Sequence, residues 1–308
     1  MNAEQLLKQV MINRGLIIRK NDDAFHHLET LENDYLHLMN DEIALAIALN
    51  HSLVHLVHHA NYAAAIDNSL LAIDRFANTT KKNALALHLK MAGVCYSSMG
   101  DFDLGERYLL EALDTINSDE KPNIAAKSDI YHSLAMSYDF REPTNSNIAH
   151  YLNKAIELLD PESDAERLAN CVMGLGNYYN NIEKNEDALT QYKIALEVFE
   201  RLYRLGSMAN CYSNLGSVYV KLNELEQGEY YLNKALELRL KFGSPDELAI
   251  SYFNTAILYK QQNKIEDSEA YLLKTLQILE QSGNKPFIQR VNDRLDELNR
   301  IKSEMGIT

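Results

Sequence analysis

Apolar residues recur three and four positions apart along most of the 308-residue chain, in long blocks broken by short polar stretches. That spacing lines one face of a helix and predicts helices throughout. Only 12 Gly and 5 Pro are present, too few breakers for a sandwich or barrel with many turns. The blocks repeat. Leu175-Gly176-Tyr179 and Leu215-Gly216-Tyr219 share a spacing with Thr255-Ala256-Tyr259, Leu134-Ala135-Tyr138 and Ala92-Gly93-Tyr96, and the tyrosines step by 42, 41, 40 and 40 residues. Each is followed by a small residue in an apolar run: Ala112, Ala155, Ala195, Ala235 and Thr275. An earlier unit ends on Ala65 and Ala72, with Leu56 in the tyrosine slot.

The physics of the pattern is a helical hairpin. A first helix carries Leu, Gly or Ala, and Tyr; a second carries a small residue, an aromatic or Leu, then Ala, as in Ala188, Tyr192 and Ala195. Small side chains let two antiparallel helices approach, and the larger ones fill the space beside them. One hairpin cannot bury both faces, so the units must stack. Turn chemistry agrees: Gly100-Asp101-Phe102 separates two helices, Ser163 with Glu166 and Ser244 with Glu247 read as capping boxes, and Pro245 takes a first helical position. Gly243 reads as the left-handed stop of the preceding helix.

These residues resemble the tetratricopeptide repeat family, whose pattern joins L-G-x-x-Y to a glycine before the second helix and two spaced alanines. The period near 40 residues is similar to that of the LGN/Pins adaptors, kinesin light chains, MalT-type regulators and Rap/PlcR-type peptide receptors. The resemblance implies an all-α, right-handed superhelical solenoid. Its expected parts are a degenerate N-terminal hairpin over 1–40 (Leu6, Leu7, Val10, then Phe25, Leu28, Leu31, Tyr35, Leu38), six repeats over 41–282, and a capping helix over 283–308. The apolar stripe of that last helix is Phe287, Ile288, Val291, Leu295, Leu298 and Ile301.

Charge narrows the partners. A formal net charge of −14 opposes nucleic acid and anionic membranes. No apolar run is long enough to span a bilayer, and the opening MNAEQLLKQVMINRG lacks the apolar stretch of a secretory signal. Three cysteines, Cys95, Cys171 and Cys211, form no CxxC pair and predict buried thiols in a reduced, cytoplasmic protein. No P-loop, GxSxG, HExxH or GxGxxG occurs, so neither catalysis nor a cofactor is expected. His51, His55, His58 and His59 fall at i, i+4, i+7 and i+8, with His26, His27 and His37 upstream, a spacing that can chelate zinc or form a polar helix face. The 18 tyrosines against 8 phenylalanines mostly occupy packing slots.

In tetratricopeptide superhelices the first helices line the concave groove, and the resemblance places Asn170, Asn177, Asn210, Asn214, Ser217, Lys221, Asn254 and His132 there, with Ser133, Asn180, Asn181 and Ser213 nearby. An amide offers one acceptor and two donors in a plane, which suits the backbone of an extended peptide. A basic carboxylate clamp is not expected, since Lys90 stands without a matching Arg. Two functions follow as expectations: a non-catalytic scaffold that binds a peptide segment or helix of a protein partner, or a sensory module answering to a peptide or small effector. A metal-dependent or catalytic protein is a third reading, and oligomeric state is open.

Overall fold

The computed structural model describes residues 1–21, 23–282 and 284–305. The side chains of Phe25, Leu36, His58, Ser282 and Met305 lie outside the described part, so the expectations placed on Phe25 and His58 fall there too. The described residues form fifteen α-helices and no strand. Among them no helix is long and apolar enough to cross a membrane.

The chain divides into two compact units, 1–164 and 165–308. The first holds α1 (Ala3–Ile18), α2 (Ala24–Asp34), α3 (Asp41–His59), α4 (Tyr62–Arg75), α5 (Lys82–Ser98), α6 (Phe102–Asn117), α7 (Ile124–Arg141) and α8 (Asn147–Ile156). The second holds α9 (Ala165–Asn181), α10 (Asn185–Arg201), α11 (Leu205–Lys221), α12 (Leu225–Phe242), α13 (Pro245–Gln261), α14 (Ile265–Ser282) and α15 (Lys285–Met305). Within each unit consecutive helices pair as antiparallel hairpins, and first helices also neighbour the next first helix: α3 beside α5, α5 beside α7, α11 beside α13.

The glycine of the repeated motif sets how closely a pair packs. A Cβ on Gly93 would come within 2.7 Å of Leu109, one on Gly176 within 2.6 Å of the Tyr192 ring, and one on Gly216 within 2.6 Å of Leu232. In each case the large side chain of the second helix lies against the bare backbone of the first. Ala188, Tyr192 and Ala195 are all fully buried, which is the small–large–small stripe at work. Tyrosines form a further seam. Tyr219 and Tyr231 stack at 5.5 Å with Tyr212 alongside, Tyr151 lies between Tyr131 and Tyr138, and Tyr271 between Tyr252 and Tyr259.

The turn inside a hairpin is as regular as the packing. Four residues after Tyr96, Tyr179, Tyr219 and Tyr259 stand Gly100 (φ 88°), Glu183 (φ 61°), Asn223 (φ 61°) and Asn263 (φ 58°), all left-handed. The following amide donates back to the tyrosine carbonyl: Asp101 to Tyr96 at 3.0 Å, Lys184 to Tyr179 at 2.8 Å, Glu224 to Tyr219 and Lys264 to Tyr259 at 2.9 Å. This satisfies an orphan carbonyl at each helix end. The hairpin of α7 and α8 departs from the rule: Glu142, four after Tyr138, is extended at φ −153° because Pro143 follows it.

Two turn expectations are corrected. Gly243 is extended (φ −81°, ψ 156°), not left-handed. Its lack of a side chain matters because a Cβ there would meet the Arg239 carbonyl at 2.7 Å. Ser163 turns its hydroxyl to Asp160 at 3.1 Å, and Glu166 accepts from Arg204 at 2.8 Å, so neither serves as predicted. The Ser244–Glu247 box is present, with Pro245 at the helix start.

Near the N-terminus α1 is joined to α3 by a polar network inside an apolar core. Asn50, fully buried, donates to the Val10 carbonyl at 2.9 Å and to Asn13 Oδ1 at 3.2 Å, while its own oxygen accepts from Arg14 Nε at 2.9 Å. In the second unit Val291 and Leu298 of α15 are buried against Phe253, Leu272 and Leu279, with Phe287, Ile288, Leu295 and Ile301 packed around them.

Candidate functional site

Seven of the eight predicted groove residues lie in the second unit, on the first helices α9, α11 and α13; His132 lies in the first unit, on α7. Five of the seven are hydrogen-bonded to side chains of other helices rather than standing as separate groups. Asn177 Oδ1 accepts from Tyr192 Oη at 2.8 Å and from Asn214 Nδ2 at 3.1 Å. Asn254 Nδ2 donates to Ser213 Oγ at 3.0 Å, and Lys221 Nζ donates to Asn180 Oδ1 at 2.6 Å. Asn170, Asn177, Asn210, Asn214 and Asn254 are half-buried, and Lys221 is exposed. Ser217 bonds back to the Ser213 carbonyl at 2.9 Å, so its hydroxyl serves its own helix.

These bonds fix which end of each amide remains available. Asn177 and Asn210 use their oxygens internally, leaving N–H donors, whereas Asn214 and Asn254 use N–H groups and leave their oxygens. Amide donors thereby remain on α9 and α11, and amide acceptors on α11 and α13.

Sequence reasoning missed Arg239, on the second helix α12. Its side chain is 5% exposed, and it donates to the Glu247 carbonyl at 2.9 Å, Ser251 Oγ at 3.1 Å and Asn210 Oδ1 at 2.6 Å. Its Nε has no partner. Burial lowers its pKa, against the opposing charge of Glu247. A basic residue in the last turn of a helix reads as solvated, and only the short bridge from α12 to α13 folds it inward.

In the first unit His132 is half-buried, and burial, together with the charge of Lys90, lowers its pKa against the pull of Asp129. The fully buried His88 on α5 contacts the Leu45 carbonyl at 2.9 Å through Nε2, while Nδ1 has no partner. Burial pushes its pKa down to about 4.

His51 Nε2 lies 3.1 Å from Glu32, and the His55 and His59 rings lie 6.2 Å apart. Among the described residues no group of three or more His, Cys, Asp or Glu could hold a metal ion. All three cysteines are buried and form no disulfide. Burial pushes the Cys95 thiol up to about 11 and Cys211 up to about 12, so these are packing residues rather than nucleophiles.

The fold is that of a helical-hairpin repeat protein. The Tetratricopeptide repeat family profile matches residues 164–241 and 207–281, so this stretch of the chain consists of tetratricopeptide repeats. No curated protein matches the sequence. Solved structures match the fold. NprR in complex with its cognate peptide NprX shares 16% identity over 98% of this chain and 84% of that one, with a TM-score of 0.66. A STAND signal-transduction ATPase with a tetratricopeptide repeat sensor, from Pyrococcus horikoshii, shares 13% over 98% of this chain and 48% of that one, at 0.69. Aspartyl phosphate phosphatase F from Bacillus subtilis shares 14% over 92% and 76%, at 0.62. At these identities the likeness is one of fold.

Proposed function

We propose that this protein is a non-catalytic scaffold that holds an extended peptide segment of a protein partner against the first helices of its second unit. The observation that carries the reading is the pre-oriented amide set: Asn177 and Asn210 offering donors, Asn214 and Asn254 offering acceptors. Extended backbone alternates carbonyl and N–H groups, so such a set grips a peptide with little regard to its side chains. The NprR structure, similar in fold, contains that protein's cognate peptide NprX, which supports a peptide as the ligand class.

A sensory role is the second reading, in which peptide capture alters what the chain presents to a partner; the neighbouring P. horikoshii chain carries a tetratricopeptide repeat sensor. Both readings need the same capture step. The test is calorimetry with peptides selected from a randomised heptapeptide pool on the intact chain. The combined substitution Asn210→Ala, Asn214→Ala and Asn254→Ala abolishes binding while far-ultraviolet circular dichroism stays unchanged. Full-strength binding by that variant overturns the proposal.

A further inference from the structure

The peptide site proposed above treats the amides as neutral, yet a full positive charge sits behind one of them. Arg239 is 5% exposed, and its three hydrogen bonds all end on neutral oxygens: the Glu247 carbonyl, Ser251 Oγ and Asn210 Oδ1. Glu247 is the carboxylate whose charge reaches it, but that carboxylate is held by the Ser244 amide at 2.8 Å and the Ser244 hydroxyl at 3.0 Å, as the cap of α13. Nε remains unpartnered. A buried charge without an ion-pair partner is costly, and groups so perturbed cluster at functional sites.

Asn210 transmits the charge outward. Its oxygen is pinned at 2.6 Å by the guanidinium, so its amide hydrogens are left for a ligand and are polarised by the cation behind them. A hydrogen bond of this kind favours an anionic acceptor over a neutral carbonyl. One repeat further along, the slot equivalent to Asn210 is Ile250, 40% exposed on α13, so the next position favours an apolar side chain.

We infer that the second unit selects peptides bearing a carboxylate, which docks on Asn210 over the buried Arg239, next to an apolar residue seated at Ile250. Arg239 is a positioning residue: it acts through Asn210. The carboxylate has two sources, an Asp or Glu side chain or the peptide's own C-terminus. This inference rests on the peptide-binding reading, and its test separates the two.

Two randomised heptapeptide pools, one with free C-termini and one amidated, are passed over the intact immobilised chain, and retained peptides are sequenced by mass spectrometry. A side-chain carboxylate shows as Asp or Glu enriched beside an apolar residue in both pools; a terminal one shows as retention of the free pool alone. With either source, Arg239→Gln, which keeps an amide donor and removes the charge, weakens the acidic peptides about tenfold, the weight of one charge-assisted hydrogen bond. Neutral peptides keep their affinity. Should Arg239→Gln fail to fold, the wild-type chain still decides: a retained peptide and its copy with Asn for Asp, Gln for Glu or an amidated C-terminus bind about tenfold apart. Retained peptides that need Asn214 and Asn254 but show no preference for a carboxylate overturn the inference and leave the peptide site standing. Retention indifferent to Asn214→Ala and Asn254→Ala, or no retention at all, overturns both.

Discussion

Tyr192 on α10 donates its phenolic hydrogen to Asn177 Oδ1 on α9, 2.8 Å away, while the same ring covers the bare backbone of Gly176. One side chain thus closes the hairpin and orients an amide on its first helix. Tyr192→Phe keeps the ring and removes the donor. It should lower stability by about 1 kcal/mol, the net worth of a typical hydrogen bond. It should also free Asn177 to rotate, which a shifted side-chain amide resonance in NMR would reveal.

Two glycine substitutions should act in opposite directions. Gly176→Ala drives a Cβ to within 2.6 Å of the Tyr192 ring, an overpacking that costs about 1–3 kcal/mol and outweighs the helical gain. Gly206→Ala, in the first turn of α11, meets nothing within 4 Å and should stabilise by up to about 1 kcal/mol. Urea denaturation of the two variants side by side checks both signs.

His88 makes the first unit acid-sensitive. Its folded pKa, about 4, lies below the ordinary value of 6.5, so the unfolded chain takes up a proton that the folded chain refuses as pH falls. Stability is complete above pH 6.5 and declines below it, by about 2 kcal/mol at pH 5. His88→Gln should flatten this dependence. Urea midpoints at pH 7.5 and pH 5 that fall equally in both proteins would refute the assignment.

The left-handed turns carry strain that glycine relieves. Glu183 is exposed at φ 61°, and an L side chain in that region costs about 1–2 kcal/mol, part of which glycine returns as unfolded-state entropy. Glu183→Gly should therefore raise stability by about 0.5–1 kcal/mol, read as a higher Tm. Asn223→Gly should gain less, because asparagine tolerates the conformation.

Asn50→Leu tests the network between α1 and α3. The change adds apolar bulk but strips the Arg14 guanidinium of an acceptor and the Val10 carbonyl of its side-chain donor. A loss of about 2–3 kcal/mol is expected, since the half-buried Arg14 guanidinium keeps only the Ala46 carbonyl at 3.4 Å and the buried Asn13 oxygen loses its donor, which together outweigh the gain in burial. Equal or higher stability would show that water replaces the asparagine there.

Much of this was legible because it depends on size and spacing alone. Leu175, Gly176 and Tyr179 announce a helix that another must approach closely, and Ala188, Tyr192 and Ala195 announce the one that does. Asn50 carries a weaker signal, a lone amide inside the apolar run from Ile43 to Val57. Arg239 carries none, because its burial depends on the path of the chain after Phe242. Gly243 misled for a related reason: glycine suits both a left-handed stop and a close backbone approach, and only the fold selects between them. The amide orientations at Asn177, Asn210, Asn214 and Asn254 were also hidden, since each is set by a neighbour on another helix.

The tyrosine seams have a practical consequence. The chain has 18 tyrosines and no tryptophan, so its near-ultraviolet emission is that of phenol rings, many held within 5–6.5 Å of one another. Tyr212 and Tyr138 also donate to carboxylates, Glu200 at 2.6 Å and Glu106 at 2.5 Å. A ligand carrying a single indole would collect excitation from these rings, so its arrival could be timed optically without labelling the protein.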